Sequence, residues 1–169
     1  MNKNIKRLVL IAIMVVEISS CASDGFGTSD DIQVKYCLRN EQGEETTVFN
    51  YGENIIFELT LYNNGKYTVC LPDEVTLFSI YSTFQVYSID GKYIGTPYST
   101  AKKQFIPVII SSGKKRQYQS CWMVHWEDMN FPIFPIELKE PLPKGTYYSY
   151  FQLDLNDDIR QCKVSFTIN

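Results

Sequence analysis

Apolar and polar residues alternate with a period of two along most of this chain, in short runs closed by turn residues. Ile32, Val34, Tyr36 and Leu38 alternate with Gln33, Lys35, Cys37 and Arg39, and Ile55, Phe57, Leu59 and Leu61 with Glu58 and Thr60. Successive side chains of an extended strand point to opposite faces, so each run reads as a half-buried strand. Composition agrees. Of 169 residues, 12 are Tyr, 10 Phe and 2 Trp, whereas Ala stands only at Ala12, Ala22 and Ala101. A chain poor in helix formers and rich in rings and β-branched residues suits a pleated surface.

Turn signals divide the strands. Glu41 to Glu45 is a polar loop around Gly43, and Asn63-Asn64-Gly65 is expected to close a hairpin returning through Tyr67, Val69 and Leu71. Asp90-Gly91, Ser111-Ser112-Gly113 and Asn156-Asp157-Asp158 mark further turns. Val75 to Ile80, Phe84 to Ile89 and Phe105 to Ile110 continue the apolar pattern, and Tyr118, Ser120, Trp122, Val124 and Trp126 share one face. Phe131 to Pro143 holds four prolines and must be an extended connection. Thr146 to Leu155 and Cys162, Val164, Phe166, Ile168 close the series. The expectation is all-β: an immunoglobulin-like antiparallel sandwich of about seven to nine strands.

The first residues read as an address. Lys3, Lys6 and Arg7 precede an unbroken apolar run from Leu8 to Val16, the charged and apolar regions of a secretory signal. Nine residues as a helix span about 14 Å, less than half of a bilayer core. Ile18-Ser19-Ser20-Cys21 resembles the bacterial lipobox, with Ile18 in place of the commoner Leu and Glu17 just ahead of it. The resemblance implies a diacylglyceryl group on Cys21, which becomes the mature N-terminus, and anchoring to a bacterial membrane, the outer membrane by preference. Asp24 is weakly similar to the acidic tracts of surface-exposed Bacteroidetes lipoproteins. The expected organisation is a signal over residues 1–20, a Gly- and Ser-rich tether over 21–30 and the sandwich over 31–169. Removing Lys3, Lys6, Arg7 and Glu17 takes the net charge from −3 to −5. Nucleic acid, which needs clustered cations, is not an expected partner.

Phe49-Asn50-Tyr51-Gly52-Glu53, Leu61-Tyr62-Asn63-Asn64, Asp90-Gly91, Ser112-Gly113-Lys114, Trp126-Glu127 and Leu142-Pro143-Lys144-Gly145-Thr146-Tyr147 stand in a characteristic order. Over residues 49 to 168 the chain resembles the intracellular proteinase inhibitor (BsuPI-type) domain and related immunoglobulin-like sandwiches of bacterial lipoproteins. That resemblance implies a fold more than an activity, since its motifs are turn and core chemistry. Family inhibitors act on an intracellular protease, whereas this chain carries an export signal.

The chemistry-bearing residues are few. His125 is the sole histidine, which excludes paired-histidine metal centres. Cys121 and His125, four residues apart on a strand, stand about 13 Å apart, too far for a nucleophile–base pair. Cys37, Cys70, Cys121 and Cys162 could form disulfides after export, with no pairing selected, or stay as buried thiols. Cys162 falls on the apolar side of its strand; Cys37 and Cys121 fall on polar sides. Trp122 and Trp126 suit the core better than a sugar-stacking platform. Phe131, Ile133, Phe134 and Ile136, in the proline-rich connection, are the candidate partner-binding residues, with folding back onto the sandwich edge as the alternative. Lys114-Lys115-Arg116 reads as a solvated strand start. No catalytic residue, metal or cofactor is expected. The functional expectation is a non-catalytic binding module of the cell envelope that contacts an envelope protein or glycan. The alternatives are an extracytoplasmic protease inhibitor and a glycan-binding accessory domain.

Overall fold

The structure is a computed structural model, described over residues 27–71, 84–97, 108–125, 138–155 and 158–169. A 3-10 turn, Ser29–Asp31, leads into β1 (Ile32–Arg39), β2 (Val48–Phe49), β3 (Ile55–Asn63), β4 (Val69–Leu71), β5 (Gln85–Ser88) and β6 (Tyr93–Gly95). There follow β7 (Val108–Ile110), β8 (Lys115–Trp122), β9 (Gly145–Leu155) and β10 (Asp158–Ile168). The described residues are all-β, as the alternation requires. Their ten strands exceed the expected seven to nine because short pieces such as the two-residue β2 pair in their own right.

Two main sheets make the sandwich, a three-stranded one ordered β1-β3-β8 and a five-stranded one ordered β2-β10-β9-β5-β6. A small β4-β7 ladder stands beside them. All pairs are antiparallel except β2 with β10, which runs parallel. Period-two alternation turns Leu38, Phe57, Leu59, Leu61 and Trp122 of one sheet toward Val86, Tyr147, Leu153 and Phe166 of the other, and these fill one core. Phe57 bridges the layers, its ring 6.1 Å from Phe84 and 6.4 Å from Phe166. A polar link crosses the core as well. Tyr36 Oη donates to Ser149 Oγ at 2.7 Å, and Ser149 Oγ donates to the Gln85 carbonyl at 3.0 Å.

The expected Asp90-Gly91 hairpin forms between β5 and β6, with Gly91 at φ +89°. The expected return through Asn63-Asn64-Gly65 does not. β3 pairs with β1 and β8, whereas β4 leaves it to pair with β7. The buried Asn63 amide explains the departure. Its Nδ2 donates to the carbonyls of Tyr67 at 2.8 Å and Ile110 at 2.7 Å, and its Oδ1 accepts from the Gly65 N–H at 2.9 Å. The side chain thus straps the chain as it crosses to the small ladder. Gly65 is needed for space: a Cβ there would lie 2.7 Å from Asp31 Cβ and closer still to the carboxyl carbon.

The register gives the sandwich two ends. At one end lie the first described residues, the turns after β3 and before β8, and the paired Leu155 and Asp158 of β9 and β10; Gly27 N–H donates to the Thr68 carbonyl at 3.0 Å. Residues 27–30, expected in the tether, are already docked here. The loops after β1 and β2, the β5–β6 turn, the end of β8 and the start of β9 gather at the other end.

Candidate functional site

The end opposite the docked N-terminal residues is tied together by polar side chains. Asn54, fully buried ahead of β3, accepts at Oδ1 from the backbone N–H of Val124 at 2.6 Å and of His125 at 3.1 Å. Its Nδ2 donates to the His125 carbonyl at 2.9 Å, and its backbone N–H donates to Glu41 Oε1 at 3.0 Å. That same Glu41 oxygen lies 2.8 Å from His125 Nε2. One carboxylate and one amide therefore join the loop after β1, the approach to β3 and the segment after β8. Glu41 is almost wholly buried while His125 remains partly open, so the group fixes three loops and leaves an imidazole at the surface.

A second node sits on the outer face of the three-stranded sheet. Register places Cys37, Glu58 and Gln119 in one row, and Arg39, Ile56 and Cys121 in the next. Arg39 grips Glu58 with both prongs, Nε to Oε2 at 2.9 Å and Nη2 to Oε1 at 2.8 Å. Gln119 Nε2 donates to Oε2 at 2.8 Å, and Arg39 Nη1 reaches the Gly43 carbonyl at 2.9 Å. Burial pushes the Glu58 pKa up, but the hydrogen bonds from Arg39, Gln119 and Gln117 outweigh it and hold the carboxyl below its ordinary 4.5. A bidentate pair on a buried carboxylate fixes β1 against β3 and extends that grip to the loop at Gly43.

The cysteines occupy four environments. Cys37 and Cys121 do stand on the expected outer face, yet both are buried, Cys121 beside Ile56 and Met123. Burial pushes the Cys121 thiol up to about 12, with the Glu41 charge adding to it. Cys162 packs partly buried against the core, and Cys70 is exposed on β4. All four stand as free thiols in this structure.

Trp122 faces the core, and its indole N–H donates to the Glu140 carbonyl at 3.0 Å. Its ring is therefore no sugar platform; Trp126 lies outside the described residues. A row of rings does cross the outer face of the five-stranded sheet. Tyr87 stacks on Tyr148 at 5.2 Å, Tyr93 meets Tyr87 edgewise at 5.5 Å, and Lys163 Nζ lies 4.0 Å over Tyr148. Tyr93, at the end of the row, stays 53% exposed. Tyr148 thus has the Tyr87 ring stacked on it and an ammonium over its ring.

Phe131, Ile133, Phe134 and Ile136, like Cys21, lie outside the described residues. The flanks of that connection are placed. Lys139 N–H donates to the Met123 carbonyl at 2.6 Å, so the chain leaves after His125 and returns beside the end of β8. Tyr51, Ile89 and Leu138 are exposed on the same end. Sequence reading missed Glu41, Asn54 and the Arg39–Glu58 pair. Glu58 alone carried a signal, as a carboxylate inside an apolar strand.

No protein-family model matches the chain, and no curated protein does. Among solved structures it is similar to part of a beta-glucosidase from Listeria innocua in complex with gluconolactone. The match covers 80% of this chain and 16% of that one, at 14% identity and a TM-score of 0.34. Likeness of that degree implies no shared activity.

Proposed function

We propose that this chain is an exported lipoprotein of a bacterial cell envelope, held by acyl chains on Cys21, that works as a non-catalytic binding module. The loops at the end far from the tether are its partner-facing surface. The observation that carries this reading is a polarity of the molecule. The lipobox-like Ile18-Ser19-Ser20-Cys21 lies just ahead of the docked end, whereas the joined loops and the exposed Tyr51, Ile89 and Leu138 stand at the other. Loops fixed by buried polar groups present a surface that loses little entropy on binding.

Two measurements test it. Metabolic labelling with a fatty-acid analogue is expected to mark the wild-type chain and to vanish in Cys21→Ala; label that persists overturns the anchor. A photo-crosslinking residue in place of Tyr51 or Ile89 is expected to trap a discrete envelope partner. The same residue in place of Ile159, exposed near the docked end, is expected to trap none. Equal trapping from all three positions, or from Ile159 alone, overturns the assignment of the surface.

A further inference from the structure

The docked end gathers four exposed cations. Lys114 precedes β8, Lys115 and Arg116 open it, and Lys66 lies in the turn after β3; all four are exposed. The two turns are locked side by side. Asn63 N–H donates to the Lys114 carbonyl at 3.0 Å, Gly113 N–H to the Asn63 carbonyl at 2.9 Å, and the Ser112 hydroxyl to the Gly65 carbonyl at 2.7 Å. None of the four cations forms an ion pair among the described residues. Asp31 stands beside the turn that carries Lys66, with Asp30 next to it, and register places Asp154 and Asp158 at this end on the other sheet. Asp31 accepts the Thr28 N–H at 3.2 Å, and Asp158 is engaged by Arg160 at 2.6 Å. The four cations thus form a basic patch on the three-stranded side of this end, on a chain whose formal charge is −3.

The chain also enters the fold here. Besides the Gly27 bond, Asn64 N–H donates to the Asp31 carbonyl at 2.9 Å, and Arg160 Nη2 to the Ser29 carbonyl at 3.0 Å. Between Cys21 and Gly27 the backbone reaches at most about 20 Å even when fully extended. An acylated Cys21 therefore keeps this end within roughly two Debye lengths of the bilayer at 0.1 M salt. Tyr67 is exposed on the same end, and Tyr62, opposite Lys115, is partly so. Tyrosine, with an apolar ring and a polar tip, suits the headgroup layer.

The geometry points to this end as a membrane-docking face, in which Lys66, Lys114, Lys115 and Arg116 rest on anionic phospholipid headgroups. The loop end then faces away from the bilayer. This inference rests on the reading of Cys21 as the acylated residue. Each basic side chain near an anionic surface strengthens attachment about fivefold, and a short tether makes the encounter intramolecular.

The full chain, acylated in a bacterial host, is reconstituted into vesicles of phosphatidylcholine alone or of three parts phosphatidylcholine to one of phosphatidylglycerol. Flotation reads the anchor, and lysine acetylation followed by mass spectrometry reads the orientation. Labelling of Lys66, Lys114 and Lys115 is expected to slow about fivefold in the anionic vesicles. That protection is expected to vanish in high salt, while Lys92 and Lys144 at the far end label alike in both. In the triple variant Lys114→Gln, Lys115→Gln, Arg116→Gln the chain still floats, and the remaining Lys66 loses most of its protection. A chain that floats but labels equally in both vesicles overturns the docking face and leaves the anchor standing, as does protection of Lys92 and Lys144 instead. A chain that fails to float removes the anchor reading, and this inference with it.

Discussion

Glu58 shows how one charge can be held on the outer face of a sheet. It stands between Phe57 and Leu59 and is only 3% exposed, yet remains ionised because Arg39 and Gln119 together satisfy both carboxylate oxygens. Removing one partner of a buried pair leaves the other charge stranded, so Arg39→Met is expected to cost about 3 kcal/mol in urea unfolding. The double variant Arg39→Met, Glu58→Gln should recover part of that loss; no recovery would mean that Arg39 acts through packing instead. The pH dependence has a defined sign. The folded pKa lies below 4.5, so Glu58 stabilises the fold above the ordinary carboxylate pKa and ceases to as pH falls through the folded value. Glu58→Gln should accordingly flatten the acid limb of the stability curve below about pH 4.5. The thiols make a second residue-level prediction. Cys70 should react with a maleimide in the native state, while Cys37 and Cys121 should wait for unfolding; rapid native labelling of Cys121 would contradict its burial.

At the scale of elements, alternation located most of the strands that the structure describes, because a strand with one buried face repeats every two residues whatever its partner. Partners were less legible. Asn63-Asn64-Gly65 has the composition of a tight hairpin, yet Gly65 takes no positive φ and β4 pairs elsewhere. What distinguishes the two outcomes is the amide of Asn63, whose three hydrogen bonds depend on Tyr67 and Ile110 being in place. Asn63→Ala would strand two carbonyls and one N–H and should lower stability by about 2–3 kcal/mol, read as a shifted urea midpoint with unchanged slope. Asn63→Asp, which keeps the shape but loses the donor, should be similarly costly. If either variant is neutral, Asn63 does not hold the crossing. The same limit applies to the candidate site. Glu41, Asn54 and His125 are 13 and 71 positions apart and become neighbours only once β1, β3 and β8 lie side by side.

The whole molecule depends on a column of rings that joins its two layers. Phe57 meets Phe84 from β5's approach and Phe166 from β10, and Phe84 stacks on Tyr36 at 5.4 Å. Truncating Phe57 removes contacts to both sheets at once, and Phe57→Ala is expected to cost about 4 kcal/mol in thermal or urea unfolding. A change at the exposed Tyr51 should stay within about 0.5 kcal/mol, which makes it a clean site for binding probes. By itself the sequence determined the class of structure, since period-two burial, scarce helix formers and glycine turns leave only a pleated architecture. The proposal of an anchored, exported chain likewise rests on sequence alone, on the charged and apolar run before Cys21. Only the tertiary structure decided which polar residues would meet, which cysteines would be buried despite standing on a polar face, and which end would gather the cations. Those outcomes turn on distances between residues remote in sequence. Such distances are set when two twisted sheets close on a shared core, and no local period encodes them.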